Sequence, residues 1–199
     1  MLEAHGAIVL RPHEKSRFTA QVFDPDHLGL KRSIIGKPAQ FIADSAGIRR
    51  DKDIRLIVVP IKQDELQGSY GHEKLAPILS LSTANDEAEG LQVCRQILAN
   101  QGRGHTAVIY TENQELMKEF GREVDASRIL VNAPASQGCI GLGTGLTPSF
   151  TLGCGTFEYV SDDIARLATD TQSITMATHN KGISPFERNG TESPTSQVS

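Results

Sequence analysis

The chain has 199 residues and a formal net charge of −4 at pH 7, a length typical of one domain, or of one domain plus a tail. Lys and Arg are scattered, so neither nucleic acid nor an anionic membrane is expected as the main partner. No apolar run approaches the ~20 residues of a membrane span and no secretory leader is evident, so we expect a cytoplasmic protein. Three cysteines without metal-ligand spacing predict reduced thiols.

The first sixty residues predict a strand, two helices and a second strand. Residues 7–10 form a short apolar run, and helices are predicted to begin at Pro12 and Pro38, the second ending at Gly47. Residues 54–61 are almost all aliphatic, which is typical of a parallel strand that is covered on both faces. The apolar sides of the two helices are predicted to contain Phe18, Val22, Phe23, Phe41 and Ile42.

From residue 62 onward, strands and helices alternate. A polar connection over 62–77 precedes the next elements. These are a strand at 78–81, a helix capped by Asp86 and stopped by Gly102, a strand at 107–110, a helix at 113–124 and a strand at 129–131. Apolar residues at helical spacing are Ala88, Leu91, Cys94, Ile97 and Leu98 in the first helix, and Leu116, Met117, Phe120 and Val124 in the second. The alternation indicates parallel crossovers, and therefore an α/β fold with a mostly parallel sheet flanked by helices.

A long segment rich in glycine follows the last predicted strand and continues to Phe157. It is too long for a simple connector, and its Leu, Ile and Phe content argues against disorder. We interpret it as a packed wall of a binding site at the end of a strand, where ligands of parallel sheets bind. The glycines at 141, 143 and 145 also permit a phosphate-binding interpretation, although no helix opens directly after them, as a dinucleotide fingerprint requires.

Three blocks of sequence carry a family resemblance. They are residues 71–77, which read GHEKLAP, residues 104–106, which read GHT before an apolar run, and residues 128–157. The chain resembles the C-terminal portion of the CoA-acylating aldehyde dehydrogenases, including the aldehyde-oxidising half of bifunctional aldehyde–alcohol dehydrogenases. The resemblance implies a partial aldehyde dehydrogenase catalytic domain over residues 1–157. Residues 158–199 diverge, and we expect a short helix near 160–167 followed by disorder from Ile183.

The resemblance implies a reaction in which a short aldehyde, NAD and CoA give an acyl-CoA. A cysteine thiolate attacks the aldehyde, hydride passes to the nicotinamide, and the CoA thiol releases the acyl group from a thioester. In the family, the nucleophilic cysteine and the nicotinamide-binding half lie upstream of the segment that corresponds to this chain. We therefore expect the isolated chain to be inactive, with Cys94 buried in a helix and Cys139 and Cys154 serving packing.

The resemblance also assigns cofactor-binding residues. Glu73 matches the family glutamate that accepts hydrogen bonds from the nicotinamide ribose hydroxyls, a sensible partner for a diol. Leu75 and Pro77 would shape the cofactor channel, and core packing explains both equally well. A zinc site at His72 and Glu73 is rejected, because the second histidine that a zinc-binding helix needs is absent.

Substrate-binding residues are expected around the second and third blocks. His105 precedes a predicted strand and either faces the acyl or CoA site or hydrogen-bonds backbone. The other candidates follow a strand end, where substrate loops belong, and ordinary turn chemistry accounts for the same residues. They are Asn132, Ala133, Pro134 and Ser136.

Two further classes of function remain open at this stage. The chain could be a catalytically inactive, truncated paralogue that assembles with a full-length relative, or with itself as a homo-oligomer. It could also be a small nucleotide-binding domain that uses the glycine-rich segment.

Overall fold

The computed structural model describes residues 2–101, 105–126 and 128–144, together with a strand at Met176–Thr178. The chain divides into two compact units, Met1–Gly102 and Arg103–Ser199. In each unit the described strands form a three-stranded sheet in which neighbouring strands run parallel. The predicted α/β fold with parallel sheets flanked by helices is confirmed.

The sheet of the first unit has β2 (Leu56–Pro60) at its centre, between β1 (Ala7–Val9) and β3 (Ile78–Leu81). Residues 57–59 of β2 are each 0% exposed, because a central parallel strand is covered on both faces. All three predicted strands of this unit are thus confirmed to within two residues at either end.

Two helices of this unit form near the predicted prolines. Helix α1 (Pro12–Val22) buries Phe18 and Val22 completely. Helix α2 (Ala39–Ser45) buries Ile42, but the prediction that Phe41 points inward is wrong, because that side chain is 48% exposed. Residues 39, 42 and 43 form the buried side of this short helix, and the ammonium of Lys37 lies 5.6 Å from the centre of the Phe41 ring.

A third helix, α3 (Glu87–Asn100), is the last element of the first unit that the structure describes. The Asp86 carboxylate accepts a hydrogen bond from the Glu89 amide at 2.8 Å, which confirms the predicted cap. Leu91 and Val93 are its buried residues, and Ala88 is exposed.

The second unit contains β4 (Thr106–Ile109), β5 (Arg128–Val131) and β6 (Met176–Thr178), with β5 in the middle. Helix α4 (Gln114–Glu123) connects β4 to β5, and the short α5 (Ala135–Gly138) follows β5. Strand β6 was not predicted from the sequence. The helix predicted near 160–167, the boundary at 157 and the tail beyond Ile183 lie outside the described residues.

Helix α4 agrees closely with its prediction. Asn113 caps it by accepting from the amides of Glu115 and Leu116, while Met117 and Phe120 are buried and Leu116 is half-buried. None of the helices in the described part of the chain has the length and apolar character needed to cross a lipid bilayer.

Candidate functional site

The loop that carries Glu73 is anchored on α1 by Tyr70. This loop leaves β2 through two short 3₁₀ turns, Gln63–Gln67 and Ser69–Gly71. The Tyr70 ring is buried and meets the edge of the Phe23 ring at 4.9 Å between centroids. Its hydroxyl lies 2.7 Å from the Thr19 hydroxyl, so a polar contact and an apolar one both hold the loop on the helix.

Lys74 stabilises the same loop by hydrogen bonds to two of its carbonyl groups. Its ammonium donates to the Tyr70 carbonyl at 2.8 Å and to the His72 carbonyl at 2.7 Å. Burial lowers the pKa of Lys74 to about 8. The Ser80 hydroxyl donates to the Tyr70 carbonyl as well, at 2.7 Å. The backbone that precedes Glu73 is therefore held by hydrogen bonds from the side chains of Lys74 and Ser80.

Glu73 itself is exposed, and its amide donates to the Gln101 side-chain oxygen at 2.7 Å. Leu75 is 60% exposed, so core packing does not account for its side chain. Pro77 is half-buried at the start of β3, and its carbonyl accepts from the Ile57 amide at 3.0 Å. Of the three cofactor-binding candidates, Glu73 and Leu75 thus have accessible side chains, whereas the Pro77 carbonyl accepts a hydrogen bond from the neighbouring strand β2.

In the second unit, Asn132 bridges the loops that follow β4 and β5. Its side-chain oxygen accepts from the Thr111 amide at 2.9 Å, and its side-chain nitrogen donates to the Thr111 carbonyl at 2.8 Å. Its backbone has φ 51°, a left-handed conformation that asparagine tolerates better than most residues. This geometry gives Asn132 a structural role in the turn, and its role as a substrate-binding residue stays a prediction.

The remaining substrate-binding candidates of the second unit lie at opposite ends of one sheet. Ala133 is 1% exposed, whereas Pro134 and Ser136 are exposed beyond the C-terminal end of β5. His105 precedes β4, which runs parallel to β5 with Thr106 opposite Arg128. His105 therefore lies at the N-terminal edge of the sheet. Four strand residues, roughly 13 Å at 3.3 Å each, separate that edge from the Ser136 loop.

The two described cysteines are both half-buried, and their role in packing stays a prediction. Cys94 is half-buried in α3, and burial raises the pKa of its thiol, which disfavours the reactive thiolate. The Cys139 sulfur lies 3.6 Å from the Ser136 carbonyl oxygen. Cys154 lies outside the described residues.

The ion pair between Glu14 and Arg50 was not predicted from the sequence. Glu14 is 9% exposed, and its carboxylate accepts from both terminal nitrogens of Arg50, at 2.8 and 2.7 Å. This hydrogen-bonded pair lowers the pKa of Glu14 to about 2. The two residues are 36 positions apart, and no local spacing links them.

The fold is similar to part of the structures of aldehyde dehydrogenases. A probable aldehyde dehydrogenase from Listeria monocytogenes EGD-e superposes with a TM-score of 0.71 at 34% identity, over 80% of this chain and 35% of that one. An acetylating aldehyde dehydrogenase from Geobacillus thermoglucosidasius superposes with a TM-score of 0.70 at 28% identity, over 98% of this chain and 41% of that one.

Sequence comparison indicates the same relationship. No family model matches the chain. An aldehyde-alcohol dehydrogenase from Streptococcus pneumoniae serotype 4 (strain ATCC BAA-334 / TIGR4) is 33% identical over 141 residues, which are 69% of this chain and 16% of that protein. The chain is therefore homologous to a segment of the acylating aldehyde dehydrogenases, and it spans only a fraction of the length of these relatives.

Proposed function

We propose that this chain is the part of a CoA-acylating aldehyde dehydrogenase that supplies Glu73 to the ribose of the nicotinamide cofactor. The complete enzyme would oxidise a short aldehyde with NAD and CoA to an acyl-CoA, through a thioester on a cysteine outside this chain. The observation that supports the proposal is an exposed carboxylate on a loop whose flanking backbone is fixed by Lys74 and Gln101.

Glu73 fits the ribose diol on chemical grounds. An ionised carboxylate offers two acceptor oxygens and can therefore take a hydrogen bond from each of two neighbouring hydroxyls. The fixed backbone at residues 72–74 reduces the conformational entropy that is lost when such a ligand binds. Leu75, exposed beside it, would cover an apolar face of the cofactor. When bound, NAD supplies the hydride acceptor.

In this proposal, residues that follow β5 would contribute to binding of the substrate. Pro134 and Ser136 are exposed there and would line the acyl or CoA channel, while Asn132 and Ala133 hold the loop in shape. His105, at the other edge of the sheet, would contact a different portion of the CoA or acyl ligand than Ser136 does.

The isolated chain is expected to show no turnover when NADH formation is followed with acetaldehyde, CoA and NAD. The reason is that the reaction needs a nucleophilic thiolate, which the resemblance places outside this chain, and burial raises the pKa of the Cys94 thiol. A full-length acylating enzyme assayed in parallel serves as the positive control. Robust NADH formation by this chain alone would contradict the placement of the nucleophile outside it.

Glu73→Ala is expected to abolish the contact between this chain and the ribose of NAD. Saturation-transfer difference NMR with millimolar NAD would measure it, because the ribose protons receive magnetisation only when they lie against the protein. Asp53→Ala removes the same charge from another exposed position of the first unit and is the matched control. Equal ribose signals in both variants, or no NAD signal with the unmodified chain, would contradict the assignment of Glu73.

A further inference from the structure

We propose that an arginine-lined cleft beside the start of α1 binds a small phosphate-bearing anion. The cleft encloses about 500 Å³ and lies entirely within the first unit. This volume is within the range of small-molecule sites in proteins, which is roughly 300–1,000 Å³. Its charged lining consists of Arg11, His13, Glu14, Arg17, Arg49 and Arg50.

The cleft concentrates positive charge in a chain that is acidic overall. Four guanidinium groups converge there against one carboxylate, whereas the whole chain has a formal charge of −4. Converging like charges repel one another, and a bound anion would relieve that repulsion. The charge pattern therefore favours an anionic occupant rather than a neutral one.

Glu14 offsets only one of the four guanidinium charges, and its oxygens already accept hydrogen bonds from within the chain. They accept two hydrogen bonds from Arg50 and one from the Arg11 amide, at 2.8 Å. Arg17 donates to the Gly47 carbonyl at 2.6 Å. Among the residues that the structure describes, the guanidinium groups of Arg11 and Arg49 donate to no side-chain acceptor, and both residues are exposed. Their donors are available to a ligand.

The arrangement favours a phosphate group over a single carboxylate. Guanidinium groups donate in a planar fork that matches two oxygens of a phosphate, and a phosphate dianion presents several acceptors to donors that approach from different directions. Arg11 precedes α1, whereas Arg49 follows α2, so their side chains reach the cleft from different segments of the chain. We therefore assign the cleft to a phosphomonoester or diphosphate of small size.

Inorganic pyrophosphate is the probe for this site, titrated into the full chain at low ionic strength by isothermal calorimetry. Saturable binding is expected, and Arg11→Gln and Arg49→Gln should each weaken it by about tenfold, the usual effect of losing a hydrogen bond to a charged group. Arg32→Gln removes an exposed arginine outside the cleft, so it should change the affinity by less than about twofold. Circular dichroism would verify that the variants, all at exposed positions, remain folded.

Three outcomes would overturn the proposal. They are the absence of saturable binding, an equal loss of affinity in Arg32→Gln and the cleft variants, and binding of citrate as tight as that of pyrophosphate. The last would show that the site selects negative charge and not phosphate. Glu73→Ala should leave the pyrophosphate affinity unchanged, so this test succeeds or fails independently of the cofactor assignment.

Discussion

Gly71→Ala is expected to destabilise the first unit by about 3 kcal/mol or more. A β-carbon built on Gly71 would overlap the Leu66 carbonyl oxygen and lie 2.7 Å from the Leu66 carbonyl carbon. Real side chains never approach backbone this closely, so the chain would have to shift. Because the obstacle is backbone, no rotation of a neighbouring side chain can relieve the clash.

The segment that would have to move is fixed on two sides. Leu66 is 1% exposed, and its carbonyl oxygen accepts from the Asn100 side-chain nitrogen at 2.7 Å. Displacement of this carbonyl would therefore disturb a buried side chain and break the hydrogen bond to α3. The loop that presents Glu73 lies directly after Gly71, so the same displacement should also weaken any contact between Glu73 and NAD.

Gly68→Ala is the matched control for this prediction. Gly68 lies in the same loop, and a β-carbon there would meet its nearest neighbour, the Glu65 carbonyl oxygen, at 3.5 Å, an ordinary contact distance. Urea unfolding followed by circular dichroism should give a midpoint for Gly68→Ala close to that of the unmodified chain. Indistinguishable midpoints for the two variants would show that the loop does not depend on the close approach at Gly71.

The elements that the sequence predicted correctly are those whose signal is local. The aliphatic run at 54–61 is typical of a central strand that is covered on both faces. Asp86 and Asn113 cap their helices by accepting hydrogen bonds from amides two or three positions further along the chain. Phe41 shows the limit of such reasoning. The local pattern allowed both Phe41 and Ile42 on the buried side of α2, and the tertiary packing buries Ile42 while Phe41 is 48% exposed.

The functional details that the sequence did not predict depend on pairs of residues far apart in the chain. Glu14 meets Arg50 across 36 positions, and Asn132 meets Thr111 across 21. The placement of His105 at the edge of the sheet opposite Ser136 requires the register of β4 against β5. The ribose-binding role of Glu73 stays a prediction, because an exposed position suits a cofactor contact and a solvated loop carboxylate equally.

Asn132→Ala is expected to destabilise the second unit by about 2–3 kcal/mol. The substitution removes two hydrogen bonds to the Thr111 backbone, each worth about 1 kcal/mol. Alanine must also keep φ near 51°, which costs about 1 kcal/mol more than it costs asparagine. The measurement is the urea unfolding midpoint together with amide hydrogen exchange at Thr111, whose N–H loses its acceptor.

Asn132→Gly separates the two contributions, because glycine loses the same hydrogen bonds but adopts positive φ without strain. It should therefore be about 1 kcal/mol less destabilising than Asn132→Ala, while the Thr111 amide exchanges faster in both variants. A side chain whose role is to contact substrate predicts a different pattern. In that case Asn132→Gly would unfold like the unmodified chain, Asn132→Ala would show only the cost of its backbone conformation, and the Thr111 amide would keep its protection in both.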